Sequence, residues 1–307
     1  MSGSGIQVDR RGPQVSQPTT PARGPEAVAK GRSLLPEADA PTWFAFGFLA
    51  LLILGAVLAD WIPGLAKPNL EVGAFSGPPA LTVNQLFGTD ALGRSIVSRV
   101  LYGARTSLSI ALFASAISMS AGIFLGMLAG FYRGVVERLV DLYANTLASL
   151  PPVLVILALI AAAGTSVFTI TLAMGLLGIG TYARITKGAV ISQAGRDYVL
   201  AARALGASDV RLLAREILPN LVPTLTAIVP PLMAGLIVTE GSLSFLGYGI
   251  PPPAPSWGGM IAGSTDLLNR FPLLIFGPIL AIVLTVYSLN TVGDYMARRI
   301  DIREGQL

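Results

Sequence analysis

Side chains able to do chemistry are few in this sequence and widely spaced. There is no cysteine and no histidine, which excludes disulfides, thiol chemistry and the usual zinc or haem ligand sets, and leaves a transition metal only carboxylates and Met. No metal site is therefore expected. Serines are plentiful, but none has an imidazole to serve as its base, so no catalytic residue is expected either. Lysine occurs only at Lys30, Lys67 and Lys187, and none follows the glycine spacing that cradles phosphate, so the chain has no P-loop. What remains are polar groups set inside apolar stretches. Asp141, Asn145 and Ser149 fall at i, i+4 and i+8, one helical face, and Glu240 closes a later apolar run. Charges in lipid are costly, so these four should face protein or water, and they are the candidates for a polar path across a membrane.

The elements that would position them are membrane spans. Apolar residues make up 53% of the 307-residue chain and charged ones 12%, about half the charged share of a soluble domain. Apolar runs of about 20 residues predict six spans, at 42–62, 106–131, 139–163, 166–182, 221–241 and 272–292. With the N-terminus inside, the inner segments hold sixteen Lys and Arg and the outer ones five, namely Lys67, Arg94, Arg99, Arg105 and Arg270. That bias predicts both termini in the cytoplasm. The net charge of +4 follows from topology and calls for no nucleic acid, while a basic inner rim suits anionic membrane lipid.

Residues 1–40, rich in Gly, Pro, Ser, Thr and Gln, read as a disordered cytoplasmic tail. The first span and an outer interfacial segment follow over 41–105, then a five-helix core over 106–300 and a short tail at 301–307. Gly122, Gly126 and Gly130 recur every four residues, a small-residue edge that lets another helix approach closely, within this chain or in a sister subunit. Pro151-Pro152 and Pro230-Pro231 delete helix hydrogen bonds and predict kinks in the third and fifth spans. Such interruptions often line cavities, so these two spans are expected to line the path.

The polar interruption at 184–219 reads as two short amphipathic helices. Tyr198, Ala201, Ala202 and Leu205 form one apolar stripe, Gly206 suits a left-handed cap, Ser208 or Asp209 can cap the next helix, and Val210, Leu213, Ala214 and Ile217 repeat the stripe up to Pro219. Here Ala201, Ala202, Gly206, Leu218 and Pro219 match the EAA loop of bacterial ABC importer permeases in register, and the segment resembles that loop. Leu200 stands where the pattern has Glu, and Glu216 where it has Ile, with Ile217 one place later. The resemblance implies that Tyr198, Ala201, Ala202, Arg203, Leu205, Gly206, Asp209 and Arg211 couple the chain to an ATPase subunit.

Two further segments narrow the resemblance. Gly88-Thr-Asp-Ala-Leu-Gly-Arg-Ser-Ile-Val-Ser-Arg99, continuing through Gly103-Ala-Arg105-Thr-Ser107, is similar to a segment of the C-type permease subunits of dipeptide and oligopeptide importers, with Ser95 where Asp often stands. Its glycines and Asp90 are turn formers, and its arginines are expected to pair with outer carboxylates or headgroups while a short helix lies at the interface. The stretch from Glu240 through Leu-Ser-Phe-Leu-Gly247-Tyr-Gly249 to Pro-Ser-Trp257-Gly resembles the same subfamily, with Trp257 a candidate interface anchor.

The likeness implies an all-α integral membrane fold of six transmembrane helices, with the coupling loop before the fifth. It implies a multi-pass subunit of the bacterial cytoplasmic membrane that imports peptides and is not itself an enzyme. The expected partners are a homologous B-type permease, two ABC ATPase subunits that bind ATP and Mg, an extracytoplasmic substrate-binding protein and the peptide substrate. A nickel-chelate importer permease carries nearly the same signatures. An ATP-independent channel or secondary transporter is the alternative of a different class.

Overall fold

Long apolar helices dominate because nothing else satisfies every backbone polar group in lipid. The computed structural model describes residues 39–265, 268–269 and 271–304. The expected tail lies outside these residues apart from Asp39 and Ala40, as do Arg270 and 305–307. Among the described residues there is no strand. In chain order the helices are α1 Ala40–Leu58, α2 Ile96–Tyr132, α3 Gly134–Ser149, α4 Pro152–Ala163, α5 Val167–Ala194, α6 Asp197–Ala204, α7 Asp209–Arg211, α8 Leu218–Ala227, α9 Val229–Phe245, α10 Trp257–Ala262 and α11 Leu273–Glu304. Four of them are long and apolar enough to cross a membrane unaided. Two bent pairs, α3 with α4 and the stretch Asp209–Ala227 with α9, raise the total to as many as six.

Asp39 stands before the first turn of α1, where the Thr42 hydroxyl donates to its carboxylate at 2.5 Å. That bond, with Arg298 at 3.9 Å, holds the carboxyl below the usual range. Beyond it α1 is apolar on every side and leaves Trp43, Leu51, Leu54 and Val57 exposed, as a lipid-facing helix should. Ala45 is buried on its inner side, where Leu52 and Ala56 enter a core with Ala104 and Ala111 of α2, Ile237 of α9, Trp257 of α10 and Leu289 of α11.

The principal packing is α2 on α5. A Cβ added at Gly122 would collide with Tyr182 Cβ, one at Gly126 would lie 2.5 Å from Ala183 O, and one at Gly130 would lie 2.8 Å from Val190 Cβ. The small-residue edge therefore lies against a helix of the same chain. Ser118 Oγ crosses the seam to Gly175 O at 2.7 Å, and Ser115 and Tyr182 share a hydrogen bond at 3.2 Å.

The spans differ from expectation in several places. The third is not one helix: α3 and α4 meet at 93° around Leu150, because Pro152 supplies a preset φ at the start of a new helix instead of a kink within an old one. The fifth bends by 46° at Ile228, and Pro230 lies in the first turn of α9, where its missing N–H breaks no bond. The fourth runs on to Ala194 instead of ending at 182, so Arg184 and Lys187 belong to a helix and not to the loop. No separate interfacial helix precedes the second span. α2 starts at Ile96, capped by the Ser95 side chain, and the boundary expected at 105 falls inside it. The expected tail at 301–307 is helical as far as Glu304.

Replacing Gly126 with Leu should cost about 1–3 kcal/mol of stability through overpacking, read as a lower Tm of the detergent-solubilised chain. Gly188→Ala, where an added Cβ meets nothing within 4 Å, should leave it unchanged or raise it. Equal behaviour of the two variants would contradict the seam.

Candidate coupling loop and transport surface

α6 leaves the end of α5 through Gly195 and Arg196. At its other end, Gly206 adopts φ +83°, with Ala207 N–H bonded to Ala202 O at 3.1 Å and Gly206 N–H to Arg203 O at 3.0 Å. This pair of bonds is the Schellman closure, for which glycine is suited because it has no Cβ to strain. Ser208 does occupy the next N-cap, but its side chain makes no capping bond. The following helix does not stop at Pro219. A wider π turn spans Leu212–Ile217, in which Leu218 N–H reaches Leu213 O. The chain then continues as α8 with Pro219 in its first turn.

Burial in the loop also differs from the expected stripes. Val199, Leu212, Leu213 and Ile217 are buried with Val190, Leu221 and Leu225, and Tyr198, Ala202, Ala207 and Phe131 pack against them. Ala201 and Ala214 are exposed instead, as are Leu205 at 90% and Val210 at 74%. Val199 and Leu212, outside the expected stripes, help root the loop, while Leu205 and Val210 of those stripes face outward. Arg203 lies over the Phe131 ring at 5.4 Å, which ties α6 to the end of α2, while Asp209 and Arg211 are exposed beside Val210. Tyr198 OH donates to Gln193 Oε1 at 2.8 Å and accepts from Asn220 Nδ2 at 3.3 Å, joining α5, α6 and α8.

The four path candidates fall into separate surroundings. Asp141 on α3 accepts both ways from Lys187 Nζ of α5, at 2.7 and 2.8 Å, and Glu137 joins them at 3.3 Å. Asn145 is exposed one turn on, and Ser149 Oγ turns back to Thr146 O at 2.7 Å. Glu240 is buried, with Ser107 Oγ donating at 3.1 Å and Ser244 Oγ at 2.8 Å. A cavity of about 350 Å³ lies where α2, α4, α5 and α9 converge, between the two proline breaks. Its lining includes Ser118, Pro152, Thr181, Tyr182 and Thr239. Sequence reading missed these hydroxyls because a lone Ser or Thr on an apolar helix bonds its own turn as readily as a ligand. Lys187 was missed as the partner of Asp141 because nothing local links residues 46 apart. Among the described residues no three His, Cys, Asp or Glu side chains could hold a metal ion.

On the other side of the molecule, arginines organise the segment before α2. Gly88 and Gly93 take φ +81° and +73°, and Asp90 accepts from Leu92 and Arg94 N–H and pairs with Arg94 at 2.7 Å and Arg99 at 3.5 Å. Arg105 bonds Asp60 at 2.7 Å and the carbonyls of Ala56 and Val57, pinning the end of α1. Trp257 is not an interface anchor. It is fully buried, with Nε1 donating to Val100 O at 2.9 Å, because Gly103 opposite leaves room for its ring.

Residues 122–305 match the family described as binding-protein-dependent transport system inner membrane component. The chain is 33% identical over 258 residues to the di/tripeptide transport system permease protein DppC of Pseudomonas aeruginosa, covering 83% of this chain and 85% of that one. It is 35% identical over 255 residues to the glutathione transport system permease protein GsiD of Shigella dysenteriae, covering 83% and 84%.

The Asp141–Lys187 pair predicts a non-additive cycle. Asp141→Asn and Lys187→Met should each lower the Tm, and the double variant should lose less than their sum, by about 1 kcal/mol for a partly exposed pair. Strict additivity would remove the pair as the link between α3 and α5.

Proposed function

Since the chain belongs to the binding-protein-dependent transport system inner membrane component family, an inner-membrane permease subunit, we propose that it forms half of the channel of an ATP-driven peptide importer. A homologous permease supplies the other half, two ATPase subunits bind ATP and Mg on the inner side, and a binding protein delivers substrate outside. The substrates are short peptides, a class that includes those named for its relatives, di- and tripeptides and glutathione. Both termini lie in the cytoplasm, a reading supported by the Lys and Arg bias.

The observation that carries this reading is the loop at 197–217, with a buried root and exposed Leu205 and Val210. Such residues stay in water only at a cost that a partner surface recovers. When ATP draws the ATPases together, the loop follows them. Its root is packed on the ends of α2 and α5 and continues into α8, so the motion reaches the bend at Ile228 and the helices around the 350 Å³ cavity. α2 and α5, locked by their glycine seam, move as one body. The breaks at Leu150 and Ile228 are where the path opens and closes, and Asp141, Asn145, Ser149 and Glu240 contribute polarity near it. The work comes from differential contact of partners with two conformations.

Co-expression with neighbouring transport genes and purification on this chain should recover ATPase subunits and a second permease, with ATP hydrolysis stimulated by peptide-loaded binding protein. Leu205→Glu, at a position that carries no packing, should leave the permease pair intact and cut ATPase recovery at least about tenfold, the loss expected for one interface hot spot. Gly206→Val, strained at φ +83°, should uncouple hydrolysis from binding protein even where the complex still assembles. Unaltered recovery and stimulation in both variants would sink the coupling role; solute movement by the chain alone without ATP would favour a channel or secondary transporter.

A further inference from the structure

Beside the loop at 197–217, and sharing Tyr198 with it, residues of α1, α5, α6, α8 and α11 line an open cleft of about 700 Å³. Its wall carries Arg196 and Arg299 together with Phe46, Pro223, Tyr295 and Met296. Arg196 supplies the N-cap position of α6 through its backbone. Arg299 lies over the Tyr295 ring at 5.6 Å. Both side chains are exposed, and among the described residues neither guanidinium has an ion-pair partner. Cationic groups held this way can take an anion without first breaking an ion pair.

Depth identifies the kind of anion. Asp39 marks the entry of α1, and it faces Arg298, the neighbour of Arg299. Phe46 lies two turns further along α1 and meets Tyr295 edge-on at 5.9 Å. With the orientation given above, Arg299 lies toward the headgroup end marked by Asp39 and Arg298, while Phe46 and Tyr295 lie deeper, toward the acyl chains. A soluble phosphate would satisfy the arginines and leave the apolar wall wet. A zwitterionic lipid would cover the wall and bring no net charge to two cations. We propose that this cavity holds an ordered anionic phospholipid, its phosphate between Arg196 and Arg299 and an acyl chain along Phe46 and Met296, which bridges α1 and α11 to the root of the coupling loop. The proposal rests on the orientation given above, which places this end of the helices in the inner leaflet.

The test uses the purified complex in nanodiscs of phosphatidylglycerol and phosphatidylcholine, with retained lipid counted by native mass spectrometry after detergent exchange. Wild type should keep phosphatidylglycerol in preference to phosphatidylcholine. Arg196→Ala with Arg299→Ala should weaken that retention roughly thirty-fold, about fivefold for each arginine near a bilayer surface. The double Lys variant, which preserves both charges, should keep most of it and so separates lost binding from lost folding. Arg138→Ala, an exposed arginine outside the cavity, should change nothing. Equal loss in Arg138→Ala, unaltered retention in the double Ala variant, or displacement of the lipid by free glycerol phosphate would overturn the proposal. If ATPase subunits fail to co-purify while the double Ala chain still loses its lipid, the coupling reading fails and the lipid site stands.

Discussion

The close approach of α2 and α5 is the constraint on which the rest of the molecule depends. Three glycines on α2 present bare backbone to Tyr182, Ala183, Thr186 and Val190, and hydroxyls of Ser115 and Ser118 stitch the seam where lipid offers no hydrogen bonds. In a membrane no hydrophobic force draws helices together, so packing density and these few polar contacts supply the association. Because α5 is held against α2 from Gly175 to Val190, its end at Ala194 is held too, and the loop at 197–217 departs from a defined point. α3 is then tied to α5 through Lys187, and α9 packs on α2 beside Trp257.

Polar groups inside the helices follow the same economy. Lys187 sits among two carboxylates, Arg184 donates to Ala144 O at 3.2 Å, and Glu240 is met by serine hydroxyls. Each takes at least one bond from another helix, Glu240 from Ser107 of α2 beside Ser244 of its own, so each group that would be costly in lipid becomes a tie between elements. On the opposite side, Arg94, Arg99 and Arg105 serve the irregular segment before α2 in the same way, through Asp60, Asp90 and backbone carbonyls. Flexible side chains thus hold rigid what the backbone alone leaves without regular hydrogen bonds.

How much of this was legible in the sequence depended on whether the cause was local. Gly206 could be read as a left-handed cap because the requirement lies in its own φ. The glycine edge of α2 was legible as an edge, but its partner, 60 residues on, was not. Proline pairs announced interruptions without angles: the same dipeptide gives 93° at Leu150 and 46° at Ile228, since neighbouring helices set the turn. Helical periodicity marked one apolar stripe on each short helix of the loop at 197–217 but could not say which residues the neighbouring helices would bury. Val199 and Leu212 went inward against α2 and α5, and Leu205 and Val210 outward. Trp257 was misread for a similar reason, as only the distant Gly103 reveals the slot its indole fills. The family resemblance reached the function from ordered motifs that no single residue would have carried.

In the importer proposed above, force enters the membrane helices at the exposed apolar tip of the loop at 197–217. The sequence contains no cysteine, so Leu205→Cys creates a single thiol in this chain. The most direct measurement is site-specific crosslinking from that position in the purified complex, with and without ATP, followed by identification of the adduct. The account predicts one adduct with an ATPase subunit, in both nucleotide states, at a site on the ATPase chain shared by a Val210→Cys reporter. A reporter that reacts only with outer-side reagents, or that crosslinks to lipid while the complex still hydrolyses ATP in response to binding protein, would contradict it.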